Sequence, residues 1–566
     1  MIKIFQIACF VLISTTLSTV YSQYDTLRYQ KPIFNSVTEH INVKYGTAEK
    51  WNIPYNDEDL YMNIYTPDDD TLSKRPLMIW VHSGGFLNGS KELQDMVALC
   101  DSFAQRGYVT ATIDYRKGFN PTSKTSAERA VYRGTQDLRA AIRFLKEKRL
   151  TYGIDTNYTF IGGSSAGAFA VIHAVYMNQS DAPASIQSGF GYPGLGCLDC
   201  SGNNYTHEMN ISGYVNLWGA IGDSTWINVN ETAKGLHVHG KADGTVPFDV
   251  GHPFGVPTTP ITHGSRSITN QLTALHIPHT TYFVDGQGHE FHGTSNGDWN
   301  SPPTPYWDTI YNLIEDHYFS IVQKDTLPIQ GESIICSTDT LTYRVAVPNT
   351  YTLNWEVTNG TIIHAAGDSV QIVFNNLGPT EISVQQFTEI AAYNGRSKVS
   401  IEINPKPTVD FLSSINGMAV TFEPLPTEFA NYNWSFGDGN FSNLKSPTHT
   451  YNNAGVYTVA LTATDISGCT ATHQEVKDFS TLDVFHNELG ELKIYPNPAN
   501  HILNVSSQND LKTLLLYSNQ GQIIRTIEIN GKEKQIDVSD LKAGIYFLKI
   551  IDVFGNTKTS LISVEK

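Results

Sequence analysis

The amino-acid sequence predicts a layered α/β domain built from βαβ units, followed by several all-β modules. Between residues 24 and about 323, short apolar runs typical of buried strands alternate with stretches whose apolar residues recur at helical spacing. After about residue 324 the helical periodicity stops, and alternating strand patterns separated by turn residues follow. The length of 566 residues fits this division, because it corresponds to about four domains of roughly 150 residues each.

Five strands and two helices of the first domain are predicted from local patterns. The strands are apolar runs at 76–81, 108–114, 158–162, 235–239 and 280–284. The helices carry apolar residues three or four positions apart, at 130–148 and 306–319. This alternation of strands and helices is typical of a parallel sheet covered by helices.

The C-terminal part is predicted to consist of three β-rich modules after an α/β domain at 23–324. Residues 325–405 and 406–478 each have the size of an immunoglobulin-like sandwich and show alternating strand patterns. A short polar linker at 479–489 leads to a last β-rich module at 490–566.

The N-terminus has the pattern of a secretory signal peptide. Lys3 supplies the positive charge, residues 4–13 are apolar, and Val20 and Ser22 occupy the small-residue positions of a cleavage site. The apolar run is about half the length that a membrane-spanning helix needs, which argues against the alternative of an uncleaved anchor. We therefore expect residues 1–22 to be removed on export.

The composition excludes some classes of partner. Lys and Arg number 38 and Asp and Glu number 55, so the net charge is −17. Nucleic acids and anionic membranes need clustered positive charge, so neither is an expected partner. Apolar residues make up 40% and charged residues 16% of the chain, which excludes a disordered protein and a coiled coil.

Five cysteines remain after signal cleavage, and they are Cys100, Cys197, Cys200, Cys336 and Cys469. Because their number is odd, at least one thiol is free. The first close pair, Cys197 and Cys200, forms a C-x-x-C that we interpret as a disulfide stapling a small loop. A redox role is the weaker alternative, because no thioredoxin-like βαβ pattern surrounds the pair. The chain has no second C-x-x-C, so we expect no zinc site.

Ser165 is the candidate nucleophile. It lies in the sequence G-S-S-A-G at 163–167, between a strand-like run and a plausible helix. A G-x-S-x-G in this setting places the serine on a sharp turn between strand and helix, and glycines are needed because side chains beside the turn would clash. The motif also occurs by chance, so it indicates a nucleophile only when partner residues for catalysis are found as well.

A second glycine-containing loop follows the strand at 76–81. It reads H-S-G-G-F at 82–86, and without Cβ atoms Gly84 and Gly85 can bring their backbone N–H groups close to a developing oxyanion. The backbone N–H of Ala166 is the third candidate donor. The alternative is an ordinary glycine turn.

A nucleophilic serine needs a base, and the base needs an orienting acid. The candidate acid is Asp243 and the candidate base is His289, because each directly follows a predicted strand. His292 is a weaker candidate for the base, and Asp249 and Asp285 are rivals for the acid. The chain order serine, aspartate, histidine is that of the α/β-hydrolases.

Residues 40–320 resemble the α/β-hydrolase carboxylesterase family. The resemblance rests on His82-Ser-Gly-Gly-Phe86, Asp114-Tyr-Arg116, the 163–167 motif, His239-Gly-x-x-Asp243 and His289. It implies a doubly wound, mostly parallel sheet and ester hydrolysis through an acyl-enzyme, with attack by Ser165, proton transfer by His289 and orientation by Asp243. It implies no metal and no organic cofactor, and it gives Asp114-Tyr-Arg116 a structural role only.

The segment at 185–233 lies where such hydrolases insert a cap. Its aromatic residues Tyr192, Trp218 and Trp226 are candidates for lining a substrate pocket. The alternative is that they pack the core of the cap itself.

Two C-terminal modules resemble other families. W-S-F-G-D-G at 434–439, H-T-Y at 449–451 and G-V-Y-T-V at 455–459 are similar to PKD domains, and the 325–405 module looks like a divergent relative. The PKD-like modules imply either glycan binding or passive spacing.

The last module resembles the C-terminal sorting domain of Bacteroidota type IX secretion. The resemblance rests on L-K-I-Y-P-N-P at 492–498 and L-K-A-G-I-Y-F at 541–547. It implies a β-sandwich at 490–566 and passage through the outer membrane, with release or attachment at the surface and the type IX machinery as a partner.

These observations predict a secreted serine carboxylesterase that removes acetyl or feruloyl groups from polysaccharides. A polyester or lipid hydrolase would use the same residues, so it is the first alternative. The second is a non-catalytic surface-binding protein on a hydrolase fold. The expected partner of the site is an ester, either small or carried on a polysaccharide, and no membrane span is expected after signal cleavage.

Overall fold

The computed structural model describes residues 23–189, 191–300, 302–480 and 491–566. The chain divides into two compact units. The first contains the residues up to Leu327 together with Ala346–Asn354 and Val384–Ser397, and the second contains Pro328–Val345, Trp355–Ser383 and Lys398–Lys566. The predicted signal peptide and most of the predicted linker at 479–489 lie outside the described residues.

The first unit is built on an eight-stranded sheet. This part of the chain contains the eight strands of the sheet and five short strands outside it. In chain order they are β1 (Val37–Glu49), β2 (Asp57–Pro67), β3 (Arg75–Val81), β4 (Val109–Ile113), β5 (Ile154–Ser164), β6 (Gly213–Leu217), β7 (Ala220–Ile221), β8 (Lys234–Gly240), β9 (Val250–Gly251), β10 (Thr262–Gly264), β11 (His279–Val284), β12 (Thr294–Ser295) and β13 (Asp298–Trp299). The order in the central sheet is β1-β2-β4-β3-β5-β6-β8-β11. The pairs β1–β2 and β2–β4 are antiparallel, and the other neighbours are parallel.

Helices cover both faces of this sheet. They are α1 (Gln94–Ala104), α2 (Lys124–Glu147), α3 (Arg149–Tyr152), α4 (Ala166–Tyr176), α5 (Ser265–Ala274) and α6 (Pro305–Val322). On β3, Ile79 joins the core that contains α2 and α4, whereas its neighbours Met78 and Trp80 join the core that contains α1 and α6. Successive strand residues point to opposite faces, so this division is that of a doubly wound sheet. The predicted α/β-hydrolase fold class is confirmed.

The predicted cap needs correction. The segment at 185–233 contains β6, a strand in the middle of the central sheet, and so is partly core. Before β6 the chain runs irregularly along α2, held by side chains such as Arg129, whose Nη1 donates to the carbonyl of Ser185 at 2.8 Å. Gln136 donates in the same way to the carbonyls of Leu195 and Cys197.

The remaining described chain contributes strands and no helix. They are β14 (Ile335–Cys336), β15 (Thr340–Arg344), β16 (Thr352–Val357), β17 (Thr361–Ala366), β18 (Ser369–Val373), β19 (Gly378–Phe387), β20 (Tyr393–Asn404), β21 (Asp410–Asn416), β22 (Ala419–Leu425), β23 (Asn431–Ser435), β24 (Phe441–Ser442), β25 (Thr448–Thr450), β26 (Val456–Thr464), β27 (Thr470–Asp478), β28 (Lys493–Tyr495), β29 (Ile502–Tyr517), β30 (Ile523–Asp537), β31 (Gly544–Asp552) and β32 (Thr557–Val564).

These strands form β-sheets with their own apolar cores. Strands β21 to β27 make a three-stranded and a four-stranded sheet around Trp434, as expected of a sandwich. Strands β28 to β32 form one hydrogen-bonded sheet whose pairing shifts between Ser506 and Leu511, and residues on both sides of the shift share one core. We retain the module boundaries at 325–405, 406–478 and 490–566 as a proposal.

Two disulfides are present among the described residues. Cys197 pairs with Cys200, as the sequence analysis expects. Cys336 pairs with Cys469, 133 positions away, a pairing that the sequence left open. Cys100 is the free thiol and is buried. None of the helices in the described residues is long and apolar enough to cross a membrane.

Candidate active site

Ser165 lies on a sharp turn between β5 and α4. Its φ of 53° and ψ of −114° are unusual for a residue with a side chain. Its backbone N–H donates to the carbonyl of Leu217 on β6 at 3.0 Å, and its own carbonyl accepts from Phe169 in α4. The surrounding structure therefore holds a strained conformation, as a nucleophile elbow requires.

The flanking glycines are explained by close backbone contacts. A Cβ on Gly163 would lie 2.5 Å from the carbonyl carbon of Gly167, and a Cβ on Gly167 would lie 2.1 Å from the carbonyl oxygen of Val81 on β3. These separations are far below van der Waals contact, so any larger residue would push the helix away from the sheet. The G-x-S-x-G pattern is thus a steric requirement of this turn.

The structure brings the predicted serine, histidine and aspartate into one hydrogen-bonded line. His289 Nε2 lies 2.9 Å from Ser165 Oγ, and His289 Nδ1 lies 2.7 Å from Asp243 Oδ2. When Nδ1–H donates to the carboxylate, Nε2 is left free to accept the serine proton. The His289 side chain is 16% exposed, so a substrate can reach this edge, whereas the Asp243 side chain is fully buried.

Asp243 is held as a carboxylate by its surroundings. Burial opposes ionisation, but hydrogen bonds from His239 and His289 outweigh it and keep the pKa of Asp243 well below its usual range. Its second oxygen, Oδ1, accepts the backbone N–H groups of Thr245 at 2.8 Å and Val246 at 2.9 Å. The acid therefore stays negative and fixed at neutral pH.

His239 is a contact of the acid; the sequence analysis named it in the His239-Gly-x-x-Asp243 block but gave it no role. Its Nε2 lies 3.2 Å from Asp243 Oδ2, and its Nδ1 lies 2.8 Å from Ser265 Oγ at the start of α5. Asn216 Nδ2 donates to the same hydroxyl at 3.0 Å. All of these groups are buried, so they form a polar support behind the carboxylate. The position of His239 at the end of β8, four residues before the acid, was the available signal.

Two of the three predicted oxyanion donors, Gly85 and Ala166, lie beside the serine. Gly85 and Ala166 line the same cavity as Ser165. Gly84 has a φ of 111°, and a Cβ there would lie 2.3 Å from the carbonyl oxygen of Asn88, so the loop requires glycine. Within the described part of the chain, the backbone N–H groups of Gly84, Gly85 and Ala166 have no hydrogen-bond acceptor. They are available to bind a negatively charged oxygen.

Tyr115 supports this loop, although the sequence analysis gave the D-Y-R segment at 114–116 a structural role only. The Tyr115 ring stacks on His82 with centroids 4.3 Å apart. Its hydroxyl donates to the carbonyls of His82 at 3.2 Å and Ser83 at 3.3 Å, directly before Gly84. Its place at the exit of β4, next to β3, was the signal that could have identified it.

The weaker candidates lie away from the serine. His292 is buried, with Nε2 3.0 Å from Thr294 Oγ1 and 3.5 Å from Asp95 Oδ2. Asp249 is an exposed partner of Ser267, and Asp285 pairs with Lys241 at the surface. None of the three contacts the nucleophile.

The three aromatic residues predicted to line a pocket lie in different surroundings in the structure. Trp218 lines neither the cavity at the serine nor the larger cavity next to it. It is fully buried, donates from Nε1 to Ser164 Oγ at 3.0 Å and stacks on His292. Tyr192 lies under the Arg129 guanidinium, whose Cζ is 5.1 Å from the centroid of the Tyr192 ring. Trp226 lines a cavity next to the one at the serine.

One cavity lies beside the serine, and a second cavity lies next to the first. The smaller is about 70 Å³ and is lined by Ser165, Ala166 and Gly85 together with mostly apolar side chains. The larger is about 280 Å³ and contains polar groups such as Lys124, Glu128 and Asp223. The site thus combines Ser165 and its base His289, backbone N–H groups without an acceptor among the described residues, and a small, mostly apolar cavity.

Comparison with known families gives three matches. Residues 62–252 match the BD-FAE family, residues 404–478 match the PKD domain, and residues 493–564 match the secretion system C-terminal sorting domain. The chain therefore contains an α/β-hydrolase domain, a PKD domain and a sorting domain of type IX secretion, as the resemblances predicted. The sorting domain indicates secretion to the cell surface or beyond.

Curated relatives are carboxylesterases. Carboxylesterase 3B of Mus musculus is 37% identical over 138 residues, which is 24% of this chain and 24% of the relative. Liver carboxylesterase 1 of Oryctolagus cuniculus is 35% identical over 141 residues, again 24% of each chain. The chain thus spans about a quarter of the length of these relatives.

Solved structures that match include esterase 2 of Thermogutta terrifontis. The form phosphorylated by paraoxon has a TM-score of 0.35 and 18% identity, and it covers 51% of this chain and 95% of its own. The propionate-bound form has a TM-score of 0.33 and 16% identity, with 51% and 95% covered.

Proposed function

We propose that this chain is a secreted serine hydrolase that cleaves carboxylic esters through an acyl-enzyme. The observation that carries the proposal is the line from Ser165 Oγ through His289 to Asp243, with contacts of 2.9 and 2.7 Å. The match to the BD-FAE family and the carboxylesterase relatives support the same reaction class. The distances are those at which a base can take the proton of a serine hydroxyl.

In the first half of the proposed reaction, Ser165 Oγ attacks the ester carbonyl carbon while its proton moves to His289 Nε2. The carbonyl oxygen becomes negative and is bound by the N–H groups of Gly84, Gly85 and Ala166. Asp243 stabilises the imidazolium that forms. The bond to the alcohol oxygen then breaks, and Nε2 returns its proton to that oxygen.

In the second half, water replaces the alcohol. His289 Nε2 takes a proton from the water as its oxygen attacks the acyl carbon, and the same donors bind the second oxyanion. Collapse of this intermediate breaks the bond to Ser165 Oγ, which regains its proton from His289. The products are an alcohol and a carboxylic acid, and the residues return to their starting states.

The substrate that we propose is an acetylated or feruloylated polysaccharide outside the cell. The sorting domain and the PKD domain support this assignment, since both are features of an exported protein with accessory modules. The type IX secretion machinery is the proposed partner for export. A polyester or lipid hydrolase would share the same residues and would differ in the acyl chains that it accepts.

Hydrolysis of p-nitrophenyl acetate by the full chain tests the proposal. Ser165→Ala should lose at least about 10³-fold in kcat, because removal of a triad member leaves only binding and the oxyanion donors. Ser320→Ala is the matched control, since among the described residues the Ser320 hydroxyl bonds only to the carbonyl of His317 within α6. Equal rates for the unaltered protein and Ser165→Ala would overturn the proposal.

A further inference from the structure

We infer that Phe169 closes the acyl site of this chain and restricts it to short acyl groups such as acetyl. The inference rests on the proposed ester hydrolysis and narrows the proposed acyl groups, acetyl or feruloyl, to acetyl. Its basis is the cavity at Ser165, the larger cavity next to it and the residues that the two share.

The position of His289 identifies which part of an ester enters the smaller cavity. The leaving alcohol must receive its proton from His289 Nε2, so the alcohol lies on the side of that ring. The smaller cavity is lined by Ser165 and by Gly85 and Ala166, which carry predicted oxyanion donors, but not by His289. It therefore extends from the carbonyl carbon away from the alcohol, which is where an acyl chain must go.

The smaller cavity is suited to a short, uncharged acyl group. Its wall is mostly apolar, with Phe86, Phe119, Val246 and Phe254 among its residues. Its volume is about 70 Å³. An engineered apolar cavity of about 150 Å³ holds one benzene ring, and the cavity at Ser165 has about half that volume, so we expect a cinnamoyl or feruloyl ring or a medium-length chain to be excluded.

The larger cavity is the space that a longer acyl group would need. Its volume is about 280 Å³, and four residues line both cavities. These shared residues are Val131, Phe169, Pro260 and Thr262. The cavities are therefore neighbours, and Phe169 has the largest side chain of the four that lie between them.

Phe169 is held firmly in this position. It lies one helical turn after the nucleophile, and its N–H donates to the Ser165 carbonyl at 3.0 Å. Its carbonyl accepts from His173 Nδ1 at 2.7 Å, and the N–H of Gly222 donates to His173 Nε2 at 3.2 Å. The Phe169 ring is buried and meets Phe86 edge-on with centroids 6.5 Å apart. The hydrogen bonds fix the backbone that carries the ring, and the buried ring packs against Phe86, so we treat it as a wall rather than a mobile gate.

The test compares three esters that differ only in the acyl group: p-nitrophenyl acetate, octanoate and cinnamate. For the unaltered full chain, we expect kcat/KM for acetate to exceed that for the other two by at least about 100-fold, because a pocket discriminates by about 10- to 200-fold per methylene that it cannot accommodate. Phe169→Ala should raise the octanoate-to-acetate ratio by at least about 10-fold.

Trp226→Ala is the matched control. It removes an aromatic side chain that lines only the larger cavity, so the barrier at Phe169 stays and the ratio should remain that of the unaltered protein. Phe169→Leu guards against loss of folding, since it keeps an apolar helix residue and should move the ratio in the same direction by less.

The outcomes separate the inference from the proposed function. Turnover of octanoate or cinnamate as fast as acetate by the unaltered protein would overturn the inference while leaving ester hydrolysis intact. So would a ratio that neither Phe169 variant changes. Absence of turnover for all three esters would overturn the proposed function itself, and the inference with it.

Discussion

Replacement of Tyr115 by phenylalanine removes one hydroxyl that supports the loop at 82–86 and leaves the ring. We call this segment the oxyanion loop, because it carries Gly84 and Gly85, two of the proposed oxyanion donors. The stack on His82 is retained, while the hydrogen bonds to the carbonyls of His82 and Ser83 are lost. One proton is shared between the two carbonyls at 3.2 and 3.3 Å, so we count a single net bond of about 1 kcal/mol. The Ser83 carbonyl keeps His82 Nδ1 as a donor at 2.6 Å, so the loss rises to about 3 kcal/mol only if the His82 carbonyl stays buried and unpaired.

This loss should appear mainly in kcat. The loop carries Gly84 and Gly85, whose N–H groups we propose to bind the oxyanion only after attack, so a displaced loop should weaken the transition state more than substrate binding. A loss of about 1 to 3 kcal/mol corresponds to about a 5- to 150-fold fall in kcat. The assay is steady-state hydrolysis of p-nitrophenyl acetate by the full chain, with thermal melting in parallel.

Tyr343→Phe is the matched control. Tyr343 is also buried, and its hydroxyl also donates to a backbone carbonyl, that of Glu332 at 3.0 Å, but it lies in the second unit. It should cost stability without loss of kcat. If Tyr115→Phe lowers only the melting temperature, and kcat equals that of the control, then Tyr115 does not position the oxyanion loop.

Three further predictions concern stability. Gly167→Ala should cost at least about 3 kcal/mol, because its Cβ would lie 2.1 Å from the carbonyl oxygen of Val81; an unchanged urea-unfolding midpoint would contradict the steric account. Burial lowers the pKa of His173 to about 4. In the unfolded chain the pKa of His173 is about 6.5, so as the pH falls the unfolded state binds the proton before the folded state does. The free energy of unfolding should therefore fall by up to about 3 kcal/mol between about pH 6.5 and 4. Urea unfolding of His173→Gln should show a weaker pH dependence, and an unchanged one would refute this. Cys336→Ser opens a bond spanning 133 positions and should destabilise the second unit by about 4 kcal/mol, far more than Cys197→Ser, whose bond spans three. Equal changes in melting temperature would contradict that difference.

Local rules account for the parts of the site that the sequence could predict. The turn at Ser165 depends on two glycines that are its immediate neighbours, so the motif contains its own steric explanation. Asp243 and His289 could be placed because each follows a strand with a clear apolar run, β8 and β11. In a parallel sheet, such strand ends converge on one edge.

The elements that the sequence analysis missed lack such local signals. Strand β1 is mostly half-buried or exposed and pairs antiparallel at the edge, so it shows no apolar run. Strand β6 has only five residues and follows a long irregular segment. Whether Trp218 and Tyr115 lie in the core or line a pocket depends on which elements pack against them. Their residue types do not decide this, because aromatic side chains occur in both settings.

Trapping of the acyl-enzyme tests the central claim most directly. The full chain is mixed with p-nitrophenyl acetate, quenched in acid, and its mass and peptides are measured. The account predicts one acetyl group per chain, located on Ser165 and absent from Ser165→Ala. An acetyl group on another residue, or undiminished hydrolysis by Ser165→Ala, would contradict it.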